Sequence, residues 1–290
     1  MDLKRLSISE LPKYSDWPSL LLGLKDSGRS FDKSKDSILR EYNIDKWGKL
    51  LEYLESNPES SIYDCDRFFL GNDQTAPYYS NNDLYLNSSY IIHSEYFELV
   101  KSTLSRYLDV ASHIVDIGSG YGSIPFRLFE DNRFKRMTYS LLEYTQSGLK
   151  CMNRLKLNYP TNACIDKCDF NFLDLSNLNI PSGSLFYTSW VVACLDCYPR
   201  DSLLEIISCN PSYVVHFEPI YQHWNDSSLL HLLWKKYLKL NNYNQSILPD
   251  LESYQEEGLI ELINVDHSVF ASNPLCPTSI IVWRPCTNVD

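Results

Sequence analysis

The sequence predicts an α/β fold: a seven-stranded, mostly parallel, doubly wound sheet with an antiparallel last strand, preceded by an N-terminal helical cap. Three observations lead there. After residue 110, short apolar runs alternate with segments of helical period. The last two runs are separated by a loop of only seven residues, 271 to 277, too short for a helical crossover, so these strands must be antiparallel. Before residue 94 the chain is loop-rich, and its apolar spacing is helical.

Each element has its own justification. In "NIDKWGKLLEYLESNP", Trp47, Leu50, Leu51 and Leu54 fall on one helix face, which Asn57 and Pro58 end. Residues 62 to 93 carry few periodic apolar positions and many tyrosines, and no strand stands out there. A helix over about 94 to 108 follows, with Phe97, Val100, Leu104 and Leu108 on one side. The strands are then expected at 112–117, 136–143, 163–170, 184–190, 212–219, 259–270 and 278–285. Helical segments fill the gaps, among them "RDSLLEIIS" and "DSSLLHLLWKKYLKL" (226–240), the latter read as capped by Asp226. The expected division is a cap or lid over 1–93 and a core over 94–290, with a helical insertion at about 221–258 that walls a pocket or forms a homodimer contact.

Charge and cysteine usage bound the partners. Against 26 basic side chains stand 37 acidic ones, a formal charge of −11, which repels phosphate backbones and anionic membranes. Nucleic acid and membrane are therefore not expected, and a small-molecule substrate is. No charged and apolar leader opens the sequence, and no apolar run approaches the length of a membrane span, so a cytoplasmic setting is expected. Nine cysteines, an odd number without repeated spacing, argue for reduced thiols. Cys194 and Cys197 form a lone CxxC, and Cys164 and Cys168 a lone CxxxC; neither supplies four zinc ligands, so no metal is expected.

Glycine is concentrated in "IVDIGSGYGSIPF" (114–126), although the whole chain holds only ten glycines. A strand that breaks into Gly118, Ser119, Gly120, Tyr121 and Gly122 and then enters a helix is where an open α/β sheet binds a nucleotide-like ligand. A dinucleotide fingerprint would need a third glycine at 123, which is Ser123. The pattern, with Asp116 two residues before the first glycine, instead resembles motif I of class I (Rossmann-like) S-adenosylmethionine-dependent methyltransferases. By order and spacing of elements the resemblance covers roughly residues 94 to 290.

That resemblance implies S-adenosyl-L-methionine as cofactor and assigns residues to it. Asp116, Gly118, Ser119 and Gly120 would border its methionine and ribose part, and Glu143 at the end of the second strand would take both ribose hydroxyls. Tyr144 would lie against the adenine, and Asp169 before Phe170 would accept from its amino group, with Asp174 as the competing choice. Ser189, at the end of the fourth strand, completes the cofactor set.

The substrate side is read from the other strand ends. Trp190 follows the fourth strand, and Glu218, Tyr221, His223 and Trp224 follow the fifth. Methyl transfer needs alignment and, for some nucleophiles, a base; His223, His93 and Glu218 are the candidates. Tyr78, Tyr79, Tyr85 and Tyr90 could hold a flat ring or a cation, or simply pack the cap on the core. "NPSY" at 210–213 looks like an amino-methyltransferase motif but enters a strand where that motif should end one, and is read as a turn. The expected activity is methyl transfer to an O, N or C nucleophile of a small molecule. A peptide or protein methyltransferase, and a non-catalytic partner subunit of the same fold, are the alternatives.

Overall fold

Ten strands pair into one sheet among the residues that the computed structural model describes, 4–25, 35–71, 74–159, 161–195 and 197–286. They are β1 (Lys4–Leu6), β2 (Thr75–Ser80), β3 (Asp83–Ser88), β4 (His113–Ile117), β5 (Thr138–Glu143), β6 (Ala163–Lys167), β7 (Leu185–Ser189), β8 (Tyr213–Glu218), β9 (Ile260–Ala271) and β10 (Thr278–Pro285). The order across the sheet is β1-β3-β2-β9-β10-β8-β7-β4-β5-β6. Five neighbouring pairs are antiparallel and four, all among β4 to β8, are parallel.

This corrects the expected seven-stranded, mostly parallel sheet and the strandless N-terminal cap. The extra strands come from residues read as helical or loop-rich. Asn81 and Asn82 both have left-handed backbones (φ 50 and 65), as a two-residue hairpin turn of the primed type requires. They join β2 to β3, with Tyr78 opposite Tyr85. β3 in turn takes β1, and β2 pairs with the edge of β9 through Tyr79 and Ala271. Within this larger sheet the strands after residue 112 run β6-β5-β4-β7-β8-β10-β9, with β10 reversed against both neighbours.

Helices cover both faces. They are α1 (Trp17–Leu21), α2 (Lys35–Leu39), α3 (Trp47–Ser56), α4 (Ile62–Leu70), α5 (Ser89–Ser105), α6 (Ser123–Leu128), α7 (Gln146–Lys156), α8 (Arg200–Ser208), α9 (Leu229–Leu240) and α10 (Ile247–Glu256); a π-helical turn, Arg40–Lys46, links α2 to α3. All five residues of β4 are buried, as a central parallel strand requires. Leu54, Val100, Phe126 and Met152 pack on one face against Leu141 and Tyr187. Leu203, Ile206 and Leu251 pack on the other against Val115, Phe186 and Trp283. A third cluster joins α9, through Trp234 and Tyr237, to Tyr79, Leu84 and Leu6 of the N-terminal strands. α9 begins later than expected: Ser228 caps it by accepting from the His231 N–H, while Asp226 pairs with Lys235 at 2.7 Å.

Candidate functional site

β4 ends in a turn that only bare backbone can make. Gly118 and Gly120 have φ of 78 and 59, the left-handed region where a side chain is strained. The Gly118 and Ser119 N–H groups both donate to the Leu142 carbonyl, at 2.7 and 2.9 Å, which ties the turn to β5. A Cβ on Gly118 would lie 2.2 Å from Cγ2 of Val191, and one on Gly120 would lie 3.2 Å from the Trp47 ring. Bare backbone here therefore lets two neighbouring segments approach.

The turn, the end of β5 and the segment after β6 open on one cavity of about 580 Å³. Asp116, Gly118, Ser119, Gly120, Glu143 and Tyr144 line it from β4 and β5. Asp169 and Phe170 line it after β6, and Ser189 at the end of β7. All the residues assigned to a cofactor by resemblance are thus brought together; Asp174, exposed and bonded to Ser176, is not.

Glu143 is buried, and its carboxylate is anchored on both oxygens. Oε1 accepts from the Thr145 N–H at 2.8 Å and its hydroxyl at 2.6 Å; Oε2 accepts from the Gly120 N–H at 2.9 Å. Burial raises its pKa, and the Thr145 and Gly120 donors oppose that rise. Asp116, wholly buried beside it, is pushed up to about 7 by burial. Asp169 accepts at Oδ1 from the Asn171 N–H, 3.1 Å away, which shapes the short helical turn Phe170–Phe172.

The other wall comes from residues the sequence reading left unassigned. Ile38, Leu39, Tyr42 and Trp47 line the cavity from α2, the π-helical turn and the start of α3. Trp47 had been given only a place on a helix face. Facing them are Trp190, Val191, Cys194 and Leu195, beyond β7. Burial, with Cys194 and Tyr243 close by, raises the Tyr42 hydroxyl well above its usual range, so it keeps its proton. The i, i+4 pair Ile38 and Tyr42 ahead of Trp47 was the available signal for this wall.

Behind α6 lies a buried cluster the sequence did not announce. Asp66 accepts from the Tyr121 hydroxyl at 2.6 Å and the Ser123 hydroxyl at 2.8 Å. His93 Nε2 meets Ser123 Oγ at 3.1 Å. Burial pushes Asp66 up, but hydrogen bonds from His93, Tyr121 and Ser123 outweigh it and hold the carboxyl below its usual range. Tyr121 and Ser123 line the cavity; His93 does not.

The expected bases and most of the expected substrate residues lie elsewhere. Glu218 is wholly buried and does not line the cavity; it accepts from Thr188 and from the N–H groups of Val191, Val192 and Ala193 at 2.9 to 3.1 Å. Burial, opposed by those donors, pushes it up to about 7. His223 is exposed and stacks on His267, with ring centroids 3.7 Å apart. Tyr78 is buried against Phe270, and Tyr79 lies edge-on to Trp234. Tyr85 packs beside Tyr78, and Tyr90 lies under the Arg67 guanidinium. Tyr221 sits under Lys235 and Lys239, and Trp224 is buried and donates to Ser268. Of the expected substrate residues only Trp190 lines the cavity. Hairpin and helix packing claim the others, which a strand-poor reading of residues 62 to 93 had left free.

No family model matches this chain, and no curated protein matches it. Solved structures similar to it include the pyocyanin biosynthetic protein PhzM, 16% identical over 62% of this chain and 52% of that one, with a TM-score of 0.44. The chain thus spans about half the length of PhzM. The methyltransferase domain of bacterial CtHen1-C is 15% identical over 67% of this chain and 98% of that one, TM-score 0.44. A SAM-dependent methyltransferase from Aquifex aeolicus is 10% identical over 63% and 88%, TM-score 0.42. Among the described residues no helix is long and apolar enough to cross a membrane.

Proposed function

We propose that this chain is an S-adenosylmethionine-dependent methyltransferase acting on an O, N or C nucleophile of a small molecule. One observation carries the reading: the glycine turn ending β4, Glu143 ending β5 and Asp169 with Phe170 after β6 open, in that order, on a single cavity. The residues fit the cofactor. The left-handed turn at Gly118 and Gly120 borders the cavity with bare backbone, so no side chain of its own stands between the turn and a ligand. Glu143 lines the cavity, and its Oε2 accepts the Gly120 N–H, which leaves acceptor capacity for a ribose hydroxyl.

In this reading Glu143 holds the ribose, Asp169 the adenine amino group, and Tyr144 and Phe170 the adenine faces. Asp116 and the turn from Gly118 to Gly120 border the methionine end, with Ser189 beside them. When bound, the cofactor would supply a methyl group on a sulfonium sulfur, the sulfur leaving with the bonding pair as the acceptor's lone pair forms the new bond. The chain supplies alignment, through the fixed turn and the aromatic wall of Tyr42 and Trp47 that keeps water from the reacting atoms. Tyr42, which burial keeps protonated, is not the acceptor's base. The nine cysteines, an odd number without repeated spacing, support a reducing, cytoplasmic setting.

Calorimetric titration with S-adenosylhomocysteine tests the cofactor half, and purified chain that fails to bind it would sink the proposal. A transfer screen with labelled cofactor over a metabolite extract and over a protein extract tests the acceptor half. Label in metabolites is expected; label confined to proteins would establish the peptide reading, and none in either would favour a non-catalytic subunit.

A further inference from the structure

Trp190 holds a backbone conformation that a bulky residue rarely adopts. Its φ of 60 is left-handed, a region that strains an L side chain. Such a conformation persists only where its surroundings over-determine it, and here they do. The three residues after it, Val191, Val192 and Ala193, each donate a backbone N–H to Glu218. The Trp190 N–H is itself tied to the Phe217 carbonyl at 3.2 Å.

Behind that clamp runs a buried chain of hydrogen bonds with a fixed direction. The Trp283 indole N–H can only donate, so Nε2 of His216, 2.9 Å away, accepts. Burial holds His216 neutral, pushed down to about 3, so its one proton sits on Nδ1 and is donated to Thr188 Oγ1 at 2.8 Å. The Thr188 hydroxyl then donates to Glu218 Oε1 at 2.9 Å. Every member is buried, and every donor meets an acceptor.

The clamped turn faces the part of the cavity farthest from the adenine side. β7 is separated from β6 by β4 and β5 in the sheet, so their ends lie about 14 Å apart at the usual strand spacing. Asp116, Glu143 and Asp169 stand at the ends of β4, β5 and β6. Around the β7 end the lining is largely apolar, with Trp190, Leu195 and Cys194 beside Ser189, and Ile38, Leu39 and Tyr42; Asp116 lies one strand away on β4.

We propose that this end is a subsite for a flat, uncharged aromatic ring, the body of the methyl acceptor, and that Glu218 is the positioning residue that holds its Trp190 wall. The acceptor role rests on the methyltransferase reading; the subsite itself does not. An indole wall gains from a flat ring more than from a saturated one of the same skeleton. A carboxylate brought to this end would be desolvated with no basic side chain among the lining residues to meet it, and with Asp116 one strand away.

The test is saturation-transfer and titration NMR with naphthol, decahydronaphthol and naphthoate, with and without S-adenosylhomocysteine. Naphthol is expected to bind roughly tenfold more tightly than either relative. Trp190→Ala should remove that preference. Glu218→Gln, which keeps the size but turns an amide NH₂ toward backbone N–H groups, should weaken naphthol by a similar factor. It should also move the fluorotryptophan resonance assigned to Trp190 with Trp190→Phe, a signature that loss of overall stability alone would not produce. Equal binding of naphthol and decahydronaphthol, no naphthol binding, or an unmoved resonance in Glu218→Gln would overturn the proposal. Naphthol binding by a chain that refuses S-adenosylhomocysteine would sink the methyltransferase reading and leave the subsite standing.

Discussion

Glu143 and Glu218 end two parallel strands of one sheet, and each grips the turn that follows the neighbouring strand. Glu143, on β5, takes the Gly120 N–H from the turn after β4; Glu218, on β8, takes three N–H groups from the turn after β7. Both are buried. What separates them is access to the cavity. Glu218 receives four hydrogen bonds, counting Thr188, and does not line the cavity. Glu143 receives three, two from Thr145 and one from Gly120, and does line it. A strand-end carboxylate that its own fold anchors is therefore a ligand as well only where it also borders open space.

The largest expected effect bears on the glycine turn after β4, the one that Glu143 grips. Gly118→Leu puts a side chain at φ 78 and within 2.2 Å of Val191, and should cost more than about 100-fold in S-adenosylhomocysteine affinity by calorimetry. Retained affinity would show that the cofactor lies elsewhere. Next come the acids themselves. Glu143→Ala should weaken the same ligand by roughly 10- to 100-fold, as loss of hydrogen bonds to a charged group does. Glu218→Ala should lower unfolding stability by about 3 kcal/mol, because it leaves backbone donors buried and unpaired. If instead Glu218→Ala mainly cost ligand affinity and Glu143→Ala mainly cost stability, the contrast between anchor and ligand would be reversed.

A subtler effect follows from protonation. Burial raises Glu218 from the ordinary 4.5, and Asp116 from 3.8, to about 7 in the folded chain. An acid whose folded pKa is raised favours folding most below its unfolded pKa, and that contribution is lost as pH rises to the folded value. Denaturant midpoints should therefore show Glu218→Gln and Asp116→Asn gaining on the wild type between about pH 4 and 7, with no further gain above. A difference independent of pH would mean that neither group titrates in that window. Smallest of all, His223→Ala, exposed and outside the cavity, should leave methyl transfer within about twofold; a large loss would restore it as a base.

How much was legible in the sequence divides along the same line. The strand into Gly118, the acid at 143 and the closing antiparallel pair could be read because each is a local signal: a run of apolar residues, a break, a loop too short to cross. The N-terminal strands were obscured by composition. "TAPYYS" and "DLYLNS" read as tyrosine-rich loop until Asn81 and Asn82 are taken as a hairpin turn, and β2 finds its second partner in β9 through Tyr79 and Ala271. The roles of Tyr42 and Trp47 were hidden for another reason. A π-helical turn breaks the regular period between them, and only the folded chain sets that turn over the glycine loop. Glu218 could be placed at a strand end from sequence, but the three amides that claim it belong to a segment about 25 residues earlier, and no local pattern records such a pairing.

The pairing of β2 with β9 bears on how a ribosome delivers this protein. β2 cannot take its place beside β9 until residues about 180 positions later have emerged. Through that interval β2 and β3 have at most each other, and a lone hairpin is marginally stable in water. The aromatic wall over the glycine turn lies between β1 and β2 in the chain, so both of its tethers wait on the far end of the polypeptide. Birth order and pairing order run opposite ways: residues 89–259 are made between β3 and β9, and through them the tyrosine-rich segment lacks that partner.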